Sequence, residues 1–507
     1  MLITNRETKE LDDSLEVSAS IDGFRLWYRV PKSFAASKAG DPFLAAALLP
    51  AMLNGEPLQI DPGLPVSPKL LKNLTVLQGI HRCWNPIFKV TPVNAATKAA
   101  EPLNMGAVSF FSGGVDSTFT FIKRREDVSH LVFIQGFDFF AGAGEGPSFT
   151  AADISDLAQI AYKLDAAKDP ASAFVKAMLS ETARAALSKY RESVSAAGDL
   201  EDALAAEMQK IIVGPPIYQE QRFAHLKLRP ETRQLLAHVP DGETLPKLNR
   251  LLLEDAYPLE IARRNSSIYE TAIARNTNFA RSFGKVLIPV ATNHFAFGYR
   301  YNLSRNLSQG GALASVALLL GFPRVFVPSS YSYSQLFPLG SHPLTDPLWA
   351  NEGMEIIHDG SEARRVDKIQ KIAKDGRALA NLRVCFNDMN VNCGKCLKCL
   401  RTMIPLKLLQ AGTGPFPPLP SNKVIRKMRI AGAIEKSFFQ DNLDLALQSG
   451  DAELRDALQA CLRRHERLEL LKNFDRVVLG GLIKRVRRGR TLGPAGFSRI
   501  DTTAFQE

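Results

Sequence analysis

One stretch of 35 residues does most to limit the fold. "GAVSFF" (106–111) is an apolar run of the kind that forms a buried strand. After the turn "SGGVDS", Val115, Phe119 and Ile122 recur at helical spacing, and "HLVFIQGFDFF" (130–140) is a second apolar run rich in β-formers. A strand, a helix and a strand this close together make a crossover unit, and such a unit sets its two strands parallel.

The same pattern returns downstream. "KVLIPVATN" (285–293), "GGALASVALLLG" and "RVFVPSSYSY" read as strand, helix and strand. The predicted fold class is α/β, a doubly wound and mainly parallel sheet, with this domain split between residues 101–150 and 281–420. Between the halves, residues 151–280 are rich in Ala, Leu, Lys and Glu and read as a helical insertion. Residues 1–100 read as a small N-terminal α/β domain. "LEVSASI" and "FRLWYRV" are strands flanking a turn at Asp22-Gly23, "DPFLAAALLPAML" and "SPKLLKNLTVLQGIHRCW" are helices, and "NPIFKVTPV" is a closing strand. Residues 421–507 read as a helical, basic C-terminal extension. A chain of 507 residues is too long for one core, in keeping with this division.

The turn itself has a physical logic. Gly113 and Gly114 allow positive φ and let backbone approach an anion with no side chain between. The helix that starts at Val115 offers unpaired N–H groups and the positive end of its dipole. Ser112 and Ser117 add hydroxyl donors, and Asp116 is tolerated beside an anion where it helps hold a cation or caps the loop. The same residue types also serve an ordinary capped turn. The complete hexapeptide between a strand and a helix favours the anion.

This hexapeptide resembles the SGGxDS pyrophosphate-binding loop of the N-type ATP pyrophosphatase (PP-loop) superfamily, whose fold is the adenine nucleotide alpha hydrolase-like sheet. The resemblance implies cleavage of ATP between the α and β phosphates. A substrate oxygen is adenylated, and a nucleophile then displaces AMP. It also implies Ser112, Gly113, Gly114, Val115, Asp116 and Ser117 as phosphate-binding residues, Asp116 and Ser117 as catalytic, and Mg²⁺ beside Asp116. At the end of the following strand, Gly136, Phe137 and Asp138 are candidates for the adenosine, and Asn293 and His294 lie at the end of another strand.

Four of the six cysteines fall within fifteen residues as C-x7-C-x2-C-x2-C: Cys385, Cys393, Cys396 and Cys399. Four thiolates in reach of one another can enclose Zn²⁺ and leave no open position, the form of a structural site. Four cysteines serve an iron–sulfur cluster as well. Lys395, Lys398 and Arg401 offset the thiolate charge. Paired with SGGVDS, the motif resembles the 7-cyano-7-deazaguanine synthases, which activate a carboxylate with ATP. The family's Ser-Lys pair falls on Asn351-Glu352, which leaves Arg364, Arg365 or Lys368 as candidates for the cation expected near pyrophosphate, though the same three residues equally suit a solvated helix face. Lesser candidates are His342, Asp346, Tyr331 and Tyr333.

The net charge of +11 does not make the body cationic. Residues 463–490 hold ten Lys/Arg against three acids, which leaves +4 for the rest. Nucleic acid is conceivable at "KRVRRGR" (484–490) but not favoured. No apolar run reaches the roughly 18 residues of a membrane span, and the polar start reads as cytoplasmic.

The expectation is an AMP-forming, ligase-type enzyme that joins a nitrogen nucleophile to an unidentified small-molecule or peptide carboxylate, with ATP, Mg²⁺ and structural Zn²⁺, alone, as a homo-oligomer or beside a partner protein. Two alternatives stand: a tRNA thiolase carrying an iron–sulfur cluster, and a non-catalytic ATP-binding subunit of a larger assembly such as a defence system.

Overall fold

The computed structural model describes residues 1–136, 257–294, 297, 298, 301, 303, 305–385, 390–430 and 432–477. Phe137 and Asp138, most of the helical insertion and the basic segment 484–490 lie outside the described residues.

Among the described residues, ten strands form one sheet in the order β10-β9-β6-β7-β8-β3-β2-β1-β4-β5. Its first half is parallel and comprises β6 (Ala107–Phe110), β7 (His130–Gln135), β8 (Val286–Thr292), β9 (Arg324–Pro328) and β10 (Glu355–Asp359). Its second half comes from the N-terminal segment: β1 (Leu2–Glu10), β2 (Ser14–Ile21) and β3 (Phe24–Pro31), with the short β4 (Leu58–Ile60) and β5 (Val93–Asn94). β2 and β3 close on a two-residue turn in which Asp22 (φ 48°) and Gly23 (φ 80°) both take the left-handed region, as the twist of a hairpin favours.

The halves join where β3 runs antiparallel to β8, pairing Tyr28 with Thr292 and Arg29 with Ala291. The sheet therefore continues from residues 1–100 into the parallel strands. Three elements differ from the sequence reading. β1 is a nine-residue strand with mostly exposed side chains, β10 was not anticipated, and the closing strand expected in "NPIFKVTPV" shrinks to two residues.

Alternation along the parallel strands shows that both faces are covered. Val108, Phe110, Val132, Ile134, Ile288, Val325 and Val327 point into one core, shared with α1 (Asp41–Asn54) and the helix Arg305–Leu320. Ala107, Leu131, Phe133, Leu287 and Phe326 point into the other. That second core is shared with α3 (Val115–Arg124), α4 (Tyr257–Ser282), α6 (Arg365–Ala373) and α8 (Leu397–Leu408). Here α2 is Pro68–Trp84, α5 is Arg305–Leu320 and α7 is Gly376–Ala380.

The first core packs tightly because small residues let backbones meet. A Cβ on Gly311 of α5 would stand 2.7 Å from the Ala45 carbonyl of α1. α2 starts as expected, with Ser67 accepting from the Leu70 N–H. Three C-terminal helices follow: α9 (Asn422–Arg426), α10 (Gly432–Ser449) and α11 (Ala452–Val477), which pack with the outer face of α8 around Leu400, Ile404, Phe439 and Leu458. No helix among the described residues is long and apolar enough to cross a membrane.

Candidate functional site

β6 lies between β7 and β9, so the strand order reverses there. In open α/β sheets a crevice forms at that point, outside the carboxyl ends of the strands. The turn "SGGVDS" leaves β6 at this position and enters α3. Gly113 has φ 79°, a conformation that side chains disfavour, and its carbonyl accepts from the Arg383 N–H at 2.8 Å. Ser112 and Ser117 brace the loop. Their hydroxyls stand 3.3 Å apart, the Ser112 N–H donates to Ser117 Oγ at 3.2 Å, and Ser117 Oγ donates to the Gly114 carbonyl at 3.2 Å. Gly114 is the N-cap of α3 and provides no side-chain cap, so the first N–H groups of the helix are left for another partner.

Asp116 sits in the first turn of α3, facing α6. Arg365 Nη1 lies 3.2 Å from Oδ2 and Lys368 Nζ lies 3.3 Å from Oδ1. Arg365 and Lys368 are three residues apart on α6 and so share one face. Burial opposes ionisation of Asp116, but Arg365, Lys368 and Arg401 outweigh it and hold the carboxyl below its ordinary range. Lys368 is almost fully buried and also donates to the Ser329 carbonyl at 2.6 Å. Burial pulls its pKa down even beside Asp116. Of the three cations weighed as replacements for the missing lysine, Arg365 and Lys368 reach the loop. Arg364 points elsewhere, to Asp367 at 3.3 Å and Asp441 at 4.0 Å.

α8 and α10 complete this side. Arg401 of α8 donates to Glu435 of α10 at 2.7 Å, and burial lowers its pKa to about 10. Its guanidinium lies 4.4 Å over the ring of Phe438, and that of Arg365 lies 5.6 Å over the same ring. Tyr331 stacks on Phe438 with centroids 6.0 Å apart.

The opposite side of the loop meets α4 and α7. An added Cβ on Gly113 would lie 3.1 Å from Asn276 Oδ1 and 3.6 Å from both Arg275 Nη2 and Asn381 Nδ2. Asn276 is fully buried, and neither polar atom of its amide has a partner. Arg275 Nε and Asn381 Nδ2 also lack one. Burial and neighbouring Arg383 lower the pKa of Arg275 to about 10.

The cysteines assemble nearby. The four sulfurs lie within 4.8 Å of one another, with Cys396 and Cys385 3.8 Å apart. A tetrahedron of sulfurs at about 2.3 Å from one shared ion has edges of about 3.8 Å, so the residues fit a single tetrahedral metal. Backbone N–H groups of Lys395 and Cys396 point at the Cys393 sulfur, and that of Cys399 points at the Cys396 sulfur. Such donors stabilise thiolates. Cys396, then burial, pushes the Cys399 thiol up, and a bound ion would reverse this. Asn392 accepts from the Val384 and Cys385 N–H groups and donates to the Leu382 carbonyl, bracing the segment whose Arg383 holds Gly113.

Other sequence candidates lie apart from the loop. Asn293 uses both amide atoms on β3, accepting from the Trp27 N–H at 2.9 Å and donating to the Arg25 carbonyl at 2.8 Å. Gly136 (φ 114°) packs on the Thr292 backbone. His294 is buried, which lowers its pKa to about 4. Asp346 pairs with His358 at 2.7 Å and with Ser341, next to His342, on the other face of the sheet. Tyr333 is exposed. Asn351 bonds to Asp41, and Glu352 accepts from the Lys69 and Ala100 N–H groups, so both tie the N-terminal segment down.

Sequence reasoning passed over Arg275, Asn276, Asn381 and Glu435. For Asn276 a signal existed. It falls in register with Ala272, Phe279 and Ala280, a polar residue on the buried stripe of a helix. Compared with protein-family models, curated proteins and solved structures, the chain has no match.

Proposed function

We propose that the chain is an ATP-dependent, AMP-forming enzyme of PP-loop type, built on a doubly wound sheet of the adenine nucleotide alpha hydrolase-like kind. The observation that carries this is the location of "SGGVDS". It stands at the reversal of strand order, with no N-cap side chain, between Arg365 and Lys368 on one flank and Arg275 on the other.

In this reading the α3 N-terminus and the Ser112 and Ser117 hydroxyls bind phosphate oxygens. Asp116 keeps Arg365 and Lys368 aimed at the same place. Its carboxylate oxygens retain further lone pairs and would help hold Mg²⁺. Mg²⁺ would supply neutralisation of phosphate charge. A substrate carboxylate oxygen attacks the α-phosphorus, the bond to the bridging oxygen breaks and pyrophosphate leaves. A nitrogen nucleophile then displaces AMP from the acyl adenylate. Lys368 and Arg365 stabilise the charge that collects on the phosphoryl oxygens. Tyr331, half-buried and stacked on Phe438 beside Arg401, is suited to contact the acceptor.

A metal held by the cysteine cluster would have a structural role and is read as Zn²⁺. Sulfurs within 4.8 Å suit one shared ion, whereas a cubane, which binds each sulfur to a different iron, spreads them wider.

The test is AMP and pyrophosphate release from α-labelled ATP by the metal-replete full chain, screened with carboxylates and amines. Wild type releases AMP with at least one pair, and Asp116→Asn and Ser117→Ala lose this. Wild-type protein that neither binds ATP nor forms AMP across the screen would overturn the proposal.

A further inference from the structure

We infer that β1 is a self-complementary edge through which two copies of the chain join, residues 6–10 of each pairing antiparallel about a symmetry axis at Thr8. The inference is independent of the nucleotide reading.

The edge is open. β4 pairs with β1 only at Leu2 and Ile3, while β2 pairs with it as far as Glu10. Among the described residues, no main-chain bond from outside β1 and β2 reaches residues 6–10. The Leu11 N–H donates to the Ser14 carbonyl at 2.9 Å. Alternation along the ladder therefore turns the main-chain groups of Thr8 and Glu10 outward, with Arg6 at the register shift between Thr4 and Glu7. Glu7, Thr8, Lys9 and Glu10 are exposed. A row of outward amides and carbonyls is a template for another strand.

Charge says which strand. The segment reads Arg6-Glu7-Thr8-Lys9-Glu10. Laid antiparallel on itself about Thr8, it sets Arg6 against Glu10 and Glu7 against Lys9, and symmetry repeats both pairs. The neighbouring registers that keep the outward groups opposed set Glu7 against Glu7 or Lys9 against Lys9, so a slip is penalised.

Within one copy these charges are poorly answered. Among the described residues Glu7 and Lys9 have no ion-pair partner, and Arg6 donates to uncharged oxygens, Thr8 Oγ1 at 3.1 Å and the Ser37 carbonyl at 2.7 Å. Glu10 meets Lys32 at 3.5 Å in a pair exposed on both sides. β10 bounds the other side of the sheet, and the same arrangement there would set Glu355 against Asp359. Self-pairing thus belongs to β1.

The experiment is sedimentation of the metal-replete full chain over a concentration series. It compares wild type with Glu7→Lys, Lys9→Glu, an equimolar mixture of these two variants, and Thr8→Pro. Wild type is expected to pass from monomer to dimer as concentration rises. Each single reversal sets like charges opposite each other at both symmetry-related pairs and should weaken self-association about tenfold or more. The mixture restores every opposite pair, because the lysine placed in one chain meets the glutamate placed in the other. It should dimerise about as tightly as wild type. Thr8→Pro removes an outward N–H that β2 does not use, so it should lose the dimer and keep the melting temperature of the wild-type monomer. Wild type that stays monomeric throughout would mean that the charges only shield the edge, and the inference falls. A dimer that the single reversals and Thr8→Pro leave intact is built on another surface and also overturns it, as does a mixture no tighter than either variant alone. Should Thr8→Pro fail to fold, the two exposed charge variants and their mixture decide.

Discussion

Replacing Lys368 with methionine removes one of the two cations facing Asp116 and keeps a side chain of similar volume at a position only 1% exposed. Two contacts go: the 3.3 Å approach to Asp116 and the 2.6 Å bond to the Ser329 carbonyl. A buried carbonyl left unpaired costs about 1–3 kcal/mol. Breaking a buried ion pair costs about 3–5 kcal/mol when the partner is left uncompensated. Asp116 keeps Arg365 at 3.2 Å and is 21% exposed, and burying the ammonium was itself costly, so the lower end applies. The expected loss is about 3 kcal/mol, a large part of a typical folding free energy of about 5–15 kcal/mol. Adding Asp116→Asn removes the charge that Lys368 answered. The double variant should then be more stable than the two single losses imply, by about 1–2 kcal/mol. Urea titration followed by fluorescence of Trp27, Trp84 and Trp349, none of them on α6, reads these differences. Additive losses to within about 0.5 kcal/mol, or a Lys368→Met protein as stable as wild type, would refute the coupling and the cation arrangement derived from it.

Gly113→Ala forces a side chain into the left-handed region at a cost of about 1–2 kcal/mol and sets its Cβ 3.1 Å from Asn276 Oδ1. A thermal shift series should show both that loss and the disappearance of stabilisation by ATP; unchanged stabilisation would clear the loop of a binding role. Dialysis against a chelator under reducing conditions should release about one zinc per chain and remove stabilisation on the order of 10 kcal/mol from the cysteine segment. Hydrogen exchange should then quicken across residues 390–408 and at the Arg383 amide, which bonds to Gly113; metal analysis finding no zinc, or unaltered exchange, would count against the structural ion. Burial raises the pKa of Asp441 from 3.8 to about 6, so the folded state binds its proton more tightly than the unfolded chain does. Stability should therefore be highest below pH 4 with respect to this group and fall by up to about 3 kcal/mol as pH rises through 6. Asp441→Asn, which can still accept from Gln335, should be more stable than wild type at pH 7 and flatten this slope; a lower midpoint at pH 7 would contradict the assignment.

The parallel strands were legible because each is a nearly unbroken apolar run, as a strand covered on both faces must be. β10 was not, because "EIIHD" ends in polar residues that serve contacts: Asp359 receives Lys123 and Arg124, and His358 pairs with Asp346. β1 was hidden for another reason. Of its nine residues only Ile3 is buried, so there is little apolar pattern to read. In the candidate site, the hexapeptide and the cysteines are local in sequence and could be seen. Arg275, Asn276, Arg401 and Glu435 come together only through the packing of α4, α8 and α10, and each alone resembles an ordinary helical residue. The substitution of Arg365 and Lys368 for a lysine expected at Asn351-Glu352 could be proposed from sequence, but choosing between them and Arg364 required the face that α6 presents to α3.

The seam between β3 and β8 has a consequence for solubility. Only two residue pairs join these strands, and side chains extend the contact: Thr292 Oγ1 donates to the Trp27 carbonyl, and Asn293 acts as a surrogate peptide group against Trp27 and Arg25. Without the N-terminal hairpin, β8 would offer a bare row of amides and carbonyls to any other copy of the chain. The hairpin thus acts as a guard against edge-to-edge aggregation. A version shortened by its first hundred residues is expected to precipitate even where its metal and its loop are sound.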